Sequence, residues 1–232
     1  MTITPTTLTR GAAAAAVAAG LIFVGVQVGH PHMDAGSVTT VEVTVRNSLK
    51  VLMAVLALVG ITGMYLRQVR ETGLLGLLGY LVLGTGYLAV MSVAFVGAFV
   101  LPSIAGTDPG FVDDALTAAT GGSPTGDIGL MQAVIVVQNV AYLAGGLVFG
   151  VALYRARVLA RWAAALLAVG GVVTIALSAM PDTFYRLLAF PNGIAMIGLG
   201  YSLWRAAWTA DTDATTVQGS VAGRREAAVS ER

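Results

Sequence analysis

The chain contains no cysteine. That excludes disulfides, thiolate metal ligands, iron–sulfur clusters and a cysteine nucleophile within it. Lysine is nearly missing: Lys50 is the only one, beside twelve arginines. Histidine occurs only as His30 and His32, which leaves no bis-histidine haem site and no histidine-based triad within the apolar part of the chain. Charged residues make up 11% of the 232 positions, where an average soluble domain carries about 25%. A soluble domain of this length needs more charge to cover its surface. The net charge of +1 gives no basic footprint for nucleic acid.

What the chain has instead is apolar residue, 56% of the total, with a mean hydropathy of +0.82. A helix needs about 20 apolar residues to cross about 30 Å of hydrocarbon. Six runs approach that length, at about 11–29, 48–66, 74–101, 128–154, 162–180 and 187–204. None holds Asp, Glu or His in its interior. Lipid cannot satisfy free backbone groups, and the runs lack the alternation of barrel strands, so helices are expected. The fold class is therefore an all-α membrane protein, a six-transmembrane-helix bundle in the cell membrane. The bundle spans 1–209, followed by a polar, disordered cytoplasmic tail at 210–232. The Ala, Gly, Val and Arg usage points to a GC-rich bacterial genome.

Ten basic residues, Arg10, Arg67, Arg70, Arg155, Arg157, Arg161, Arg205, Arg224, Arg225 and Arg232, fall on one side of a six-helix weave, and Arg46, Lys50 and Arg186 on the other. Short loops rich in Lys and Arg stay in the cytoplasm, which places both termini inside. Tyr65, Tyr154, Trp162, Trp204 and Trp208 lie at the same inner boundary, where amphipathic rings favour the headgroups. The first run resembles a signal peptide in its single Arg and small residues. At 19 residues it exceeds the usual core of about 7–15, and Gly29-His30-Pro31-His32 offers no cleavage site. An uncleaved helix is expected.

Outside the membrane, Thr39 and Glu42 have the spacing of a capping box and Glu42–Arg46 that of an ion pair, so helix two is expected to extend outward from residue 39. The longest outer loop, 103–127, carries Asp108, Asp113, Asp114 and Asp127 and no basic residue, with a short amphipathic helix over 111–119. Helices four, six and two leave the membrane as Gly150-to-Arg155, Gly200-to-Arg205 and Gly63-to-Arg67. Three hairpins of common ancestry fit that pattern; repeated use of an aromatic–Arg interface anchor is the simpler reading.

No catalytic or cofactor motif stands out. His30 and His32 with Met33 and Asp34 fall short of the ligand count of ordinary metal sites, so no metal is assigned. Lys50 sits near the outer end of its helix, where a lysine snorkels to the headgroups. The candidate site is polar and uncharged. Gln132, Asn139, Tyr142, Gly146 and Gly150 recur along one stripe of helix four. Asn47 and Asn192 lie toward the outer halves of helices two and six. Such amides glue helices together by hydrogen bonds worth about 0.6–2 kcal/mol, or line a pocket. The expected ligand set is Asn47, Gln132, Asn139, Tyr142 and Asn192, with membrane lipids and a small apolar or weakly polar ligand as partners and no cofactor.

The length, the outer loop after helix one and the closing segment from Pro191-Asn192-Gly193 to Leu203-Trp204-Arg205 resemble small bacterial six-helix membrane-protein families of unknown function. The resemblance implies the fold and carries over no functional residue. The functional expectation is a non-enzymatic membrane protein: a small-molecule transporter, ligand sensor or accessory subunit. The alternative is a membrane enzyme acting on a lipid or isoprenoid through outer-rim groups such as His30, Asp34, Glu42 and Asp182.

Overall fold

A computed structural model of the chain describes residues 4–29, 31, 33–177 and 190–209, with side chains of 171–177 set aside. The expected tail at 210–232, His30, His32, Asp182 and Arg186 lie outside the described residues. No strand occurs among those described.

Helix α1 is Pro5–Gly25. Proline at its first position is pre-set for a helix, and the Thr4 hydroxyl accepts the Thr7 amide at 3.2 Å, satisfying one of the free N-terminal donors. Helix α2 is Val41–Arg67. Its cap is Thr40, whose hydroxyl accepts the Val43 amide at 3.4 Å. This corrects the capping box expected from Thr39, which instead donates its hydroxyl to the Gly36 carbonyl at 2.8 Å inside a 3₁₀ turn, Ser37–Thr39. The shift of one residue puts Glu42 too early to reach back to the cap. Its partner is Arg46, at 2.9 Å.

Helix α3, Val69–Phe95, is broken at Gly73 (φ 55°). It continues through a wide π turn, Val96–Val100, into the single turn α4, Leu101–Ile104. Pro102 explains the widening: it has no N–H to give the Ala98 carbonyl, and its ring crowds that carbonyl. Helix α5 is Pro109–Ala119, capped by Asp108, whose carboxylate accepts the Phe111 amide at 3.0 Å. Helices α6, Leu130–Ala156, and α7, Arg161–Leu177, follow, and residues 190–209 form α8.

Four helical stretches, Pro5–Gly25, Val41–Arg67, Val69–Ile104 and Leu130–Ala156, are long and apolar enough to cross a membrane, and Arg161–Gly170 is a shorter apolar helix. Their outward faces carry exposed Leu21, Val59, Leu81, Phe99 and Val140. Apolar surface on this scale suits lipid as the outer solvent, so this is a membrane protein.

Neighbouring helices touch through small residues and close a ring. Gly60 of α2 lies on Ala16 of α1, Gly79 of α3 on the Phe149 backbone of α6, and Gly150 of α6 on Ala164 and Ala168 of α7. Gly198 of α8 lies on Trp162 and Ala163 of α7, and Gly193 on the Gly20 carbonyl of α1. Between α2 and α3, Tyr65 and Tyr80 stack at 4.9 Å, and the Tyr80 hydroxyl meets that of Thr62 at 3.1 Å. Inside the ring, Met53, Ile61, Met64, Leu83, Phe149, Leu153, Leu199 and Leu203 are buried in one cluster. Helix α1 is thus held on two flanks, by α2 and by α8. Small alanines and glycines permit this close approach on both sides.

Candidate functional site

The end of the ring beside α5 is covered by a cap. Val112, Ala115 and Leu116 of α5 are buried with Val38, Val43, Leu101 and Ile135 in a second apolar cluster. Asp residues of the segment 103–127 fix this cap through backbone amides. Asp113 accepts the Ala35 amide at 2.7 Å. Asp114 accepts Thr125 N at 2.7 Å, the Thr125 hydroxyl at 3.0 Å and Gly126 N at 2.9 Å. The Thr125 amide above all holds the Asp114 carboxyl below the ordinary aspartate range. Asp127 accepts the Gly129 amide at 2.7 Å. Asp34 accepts the Ser37 amide at 2.6 Å. Each of these acids is engaged in a turn or a cap. Among the described residues no group of three or more His, Asp or Glu gathers where a metal ion could sit.

Arg46 secures the segment that follows α1 from the other side. Its guanidinium donates to the carbonyls of Val26 (2.9 Å), Val28 (3.0 Å) and Gly29 (3.0 Å) while paired with Glu42. Those carbonyls follow the end of α1, where helix acceptors lack partners and the dipole favours a cation.

The five expected site residues divide into three groups. Asn47 (5% exposed) and Asn192 (4%) are buried against glycines of the next helix. A Cβ on Gly97, in the π turn, would stand 3.0 Å from Asn47 Nδ2, and Asn192 Oδ1 lies against Gly170 of α7. These two amides occupy separate contacts, α2 with the π turn after α3 and α8 with α7. Gln132 and Asn139 behave differently. Along the stripe that holds buried Gly150 and Gly146, Asn139 is half-buried and Gln132 exposed. Gln138 Nε2 reaches Asn139 Oδ1 at 3.4 Å, a long contact. Around them Val136, Val137 and Val140 are exposed, and only Ile135 is buried between 130 and 140. Residues 130–154 contain no charged side chain.

Tyr142 belongs to a layer one turn deeper. Its ring stands edge-on to Tyr87 of α3 at 5.4 Å and to Phe23 of α1 at 6.5 Å. Edge-to-face contact suits aromatic quadrupoles, and the three rings bridge the bundle. Sequence reasoning singled out Tyr142 and overlooked Phe23 and Tyr87. The usable signal was slight: Gly86, beside Tyr87, lets the Tyr142 backbone approach. The π turn was overlooked as well, although Gly97 and Pro102 stand five residues apart.

No family model, no curated protein and no solved structure matches the chain.

Proposed function

We propose that this chain is a non-catalytic, six-span protein of the cell membrane, with both termini in the cytoplasm, that senses a small uncharged or weakly polar ligand on its outer side. The orientation rests on the ten basic residues assigned to inner segments against three outside. The ligand-sensing role rests on one observation. Burial along a single stripe of α6 fades from Gly150 and Gly146, through Asn139, to Gln132. The inner half is packed by Phe149, Leu153 and Leu203, while the outer half keeps amides accessible. A stripe packed along its inner half and accessible from the flank along its outer half favours a sensor over a conduit. The engaged carboxylates of Asp34, Asp113 and Asp114, and the Glu42–Arg46 pair, give the enzyme alternative no spare acid among the described residues of the outer rim to build on.

The test is co-purification. Wild-type protein and Asn139→Leu are purified in mild detergent, unfolded, and the released organic molecules identified by mass spectrometry beside the thermal midpoint of each. The expected result is one species near stoichiometric with wild type, lost in the variant at an unchanged midpoint. A lower midpoint with unchanged bound content makes Asn139 a helix fastener and rejects the sensor.

A further inference from the structure

The geometry points to a ligand class and a route: the amide stretch of α6 between Ile135 and Tyr142 receives the head of a neutral, hydroxyl-bearing membrane amphiphile that enters sideways from the outer leaflet. This rests on the ligand-binding reading above and deepens it.

The route follows from what is closed. On the water side the cap buries Val38, Val112, Ala115, Leu116 and Ile135, and the Asp113–Ala35 bond ties α5 to the first loop. One turn inward lies the Tyr142, Phe23 and Tyr87 layer. Between these, the flank of α6 is uncovered by the described residues, with Val136 49% and Val140 61% exposed. A ligand reaching Asn139 therefore crosses apolar surface first, which selects a molecule already dissolved in the bilayer.

The chemistry follows from the residues on that flank. Residues 130–154 hold no charge, so an ionic head would be desolvated there without a counter-charge. Carboxamides donate and accept, and so does a hydroxyl. Gln138 and Asn139 share one long contact, which leaves most of their hydrogen-bonding capacity for a ligand head. The exposed valines beside them present aliphatic surface to an acyl or isoprenoid chain.

The test uses a monoacylglycerol with a diazirine in its chain, in phosphatidylcholine vesicles containing the full protein. A phosphatidylcholine bearing the same diazirine is the control. Labelled sites are read by mass spectrometry after pepsin digestion. The expected result is monoacylglycerol labelling over 134–143 enriched about fivefold over the control lipid, the factor that one net hydrogen bond supplies. Asn139→Leu lowers the enrichment to that of the control, and Asn139→Gln retains it. If Asn139→Leu does not fold, Val136→Trp, which fills the flank from its exposed side, serves instead. Labelling equal to that of the exposed face of α3 and its π turn, from Leu81 to Phe99, means annular lipid only and overturns the proposal. If instead the molecule released from wild type by co-purification is water-soluble, and glycerol competes away the labelling, the sensor reading stands and the amphiphile is rejected. If nothing is released and Asn139→Leu only lowers the midpoint, both are rejected.

Discussion

The Asp113 carboxylate accepts the Ala35 amide at 2.7 Å, joining residues 78 positions apart. It fastens the cap helix to the segment between α1 and α2. Asp113→Ala should lower stability by about 1 kcal/mol, the ordinary net worth of such a bond. The loss should be local. Cysteines placed at Leu116 and Ile135, buried in the wild-type cap, should react faster with a water-soluble maleimide in the variant background, and equal rates would show that the apolar contacts alone hold α5 down.

Asp114 gives the cap a dependence on pH. Its folded pKa lies below the ordinary value, because the Thr125 and Gly126 amides and the Thr125 hydroxyl favour the carboxylate. A carboxyl depressed in the folded state contributes stability above its unfolded pKa, and that contribution is lost as pH falls through the folded pKa. Wild type should therefore exceed Asp114→Asn in thermal midpoint at neutral pH, with the difference shrinking once pH drops below about 4. A difference that stays constant down to strong acid would show that the charge of Asp114 plays no part.

Adjacent glycines on α6 should respond unequally to a methyl group. On Gly150 a Cβ would stand 2.6 Å from the Ala168 nitrogen and 2.8 Å from the Ala164 carbonyl oxygen. On Gly145 it would run into the Leu83 backbone. On Gly146 its nearest neighbour would be the Leu167 carbonyl at 3.6 Å, an ordinary contact. Gly150→Ala and Gly145→Ala should each cost about 1–3 kcal/mol by overpacking, while Gly146→Ala is near neutral. Detergent unfolding of the three variants decides it, and equal costs would mean that α6 is free to shift.

Arg46 should resist conservative exchange. A guanidinium reaches three carbonyls and a carboxylate at once; an ammonium is a point charge on a flexible stem. Arg46→Ala should cost about 2 kcal/mol, and Arg46→Lys should recover only part of it. Glu42→Gln should change stability by about 0.5 kcal/mol or less, since its side chain is largely exposed. Full recovery by lysine would reduce the arginine to its charge.

Orientation is open to reporter fusions. An enzyme active only outside the cytoplasm should work when joined after Gly122 and stay silent after Arg157. The reverse pattern overturns the inside assignment of both termini, and activity at both sites overturns the number of spans.

Helical character was legible because uncharged runs of suitable length leave the backbone no other solution in lipid. The cap helix was legible from Asp108-Pro109 and the alternation of Val112, Ala115 and Leu116 with polar neighbours. Asn47 and Asn192 could be placed in depth by counting residues, but which neighbour each would meet depends on helix rotation, and that is set by distant contacts such as Gly20 on Gly193. The Phe23, Tyr87 and Tyr142 layer was hidden for the same reason. Aromatic residues scattered over three apolar helices carry no periodic mark of their meeting. Thr39 and Thr40 were indistinguishable as caps by composition, and the 3₁₀ turn that engages Thr39 decided between them.

The two-sided seat of α1 has a bearing on biosynthesis. Ala12 and Ala16 can meet Gly63 and Gly60 as soon as α2 enters the bilayer, but Ala13 and Gly20 wait for Gly200 and Gly193 of α8. Translation runs from α1 to α8, so α1 keeps an unfinished flank until α8 has left the ribosome. During that interval its alanine and glycine surface faces lipid or the insertion machinery. The ring is closed by a contact between α1 and α8, and that contact cannot form before α8 has been made.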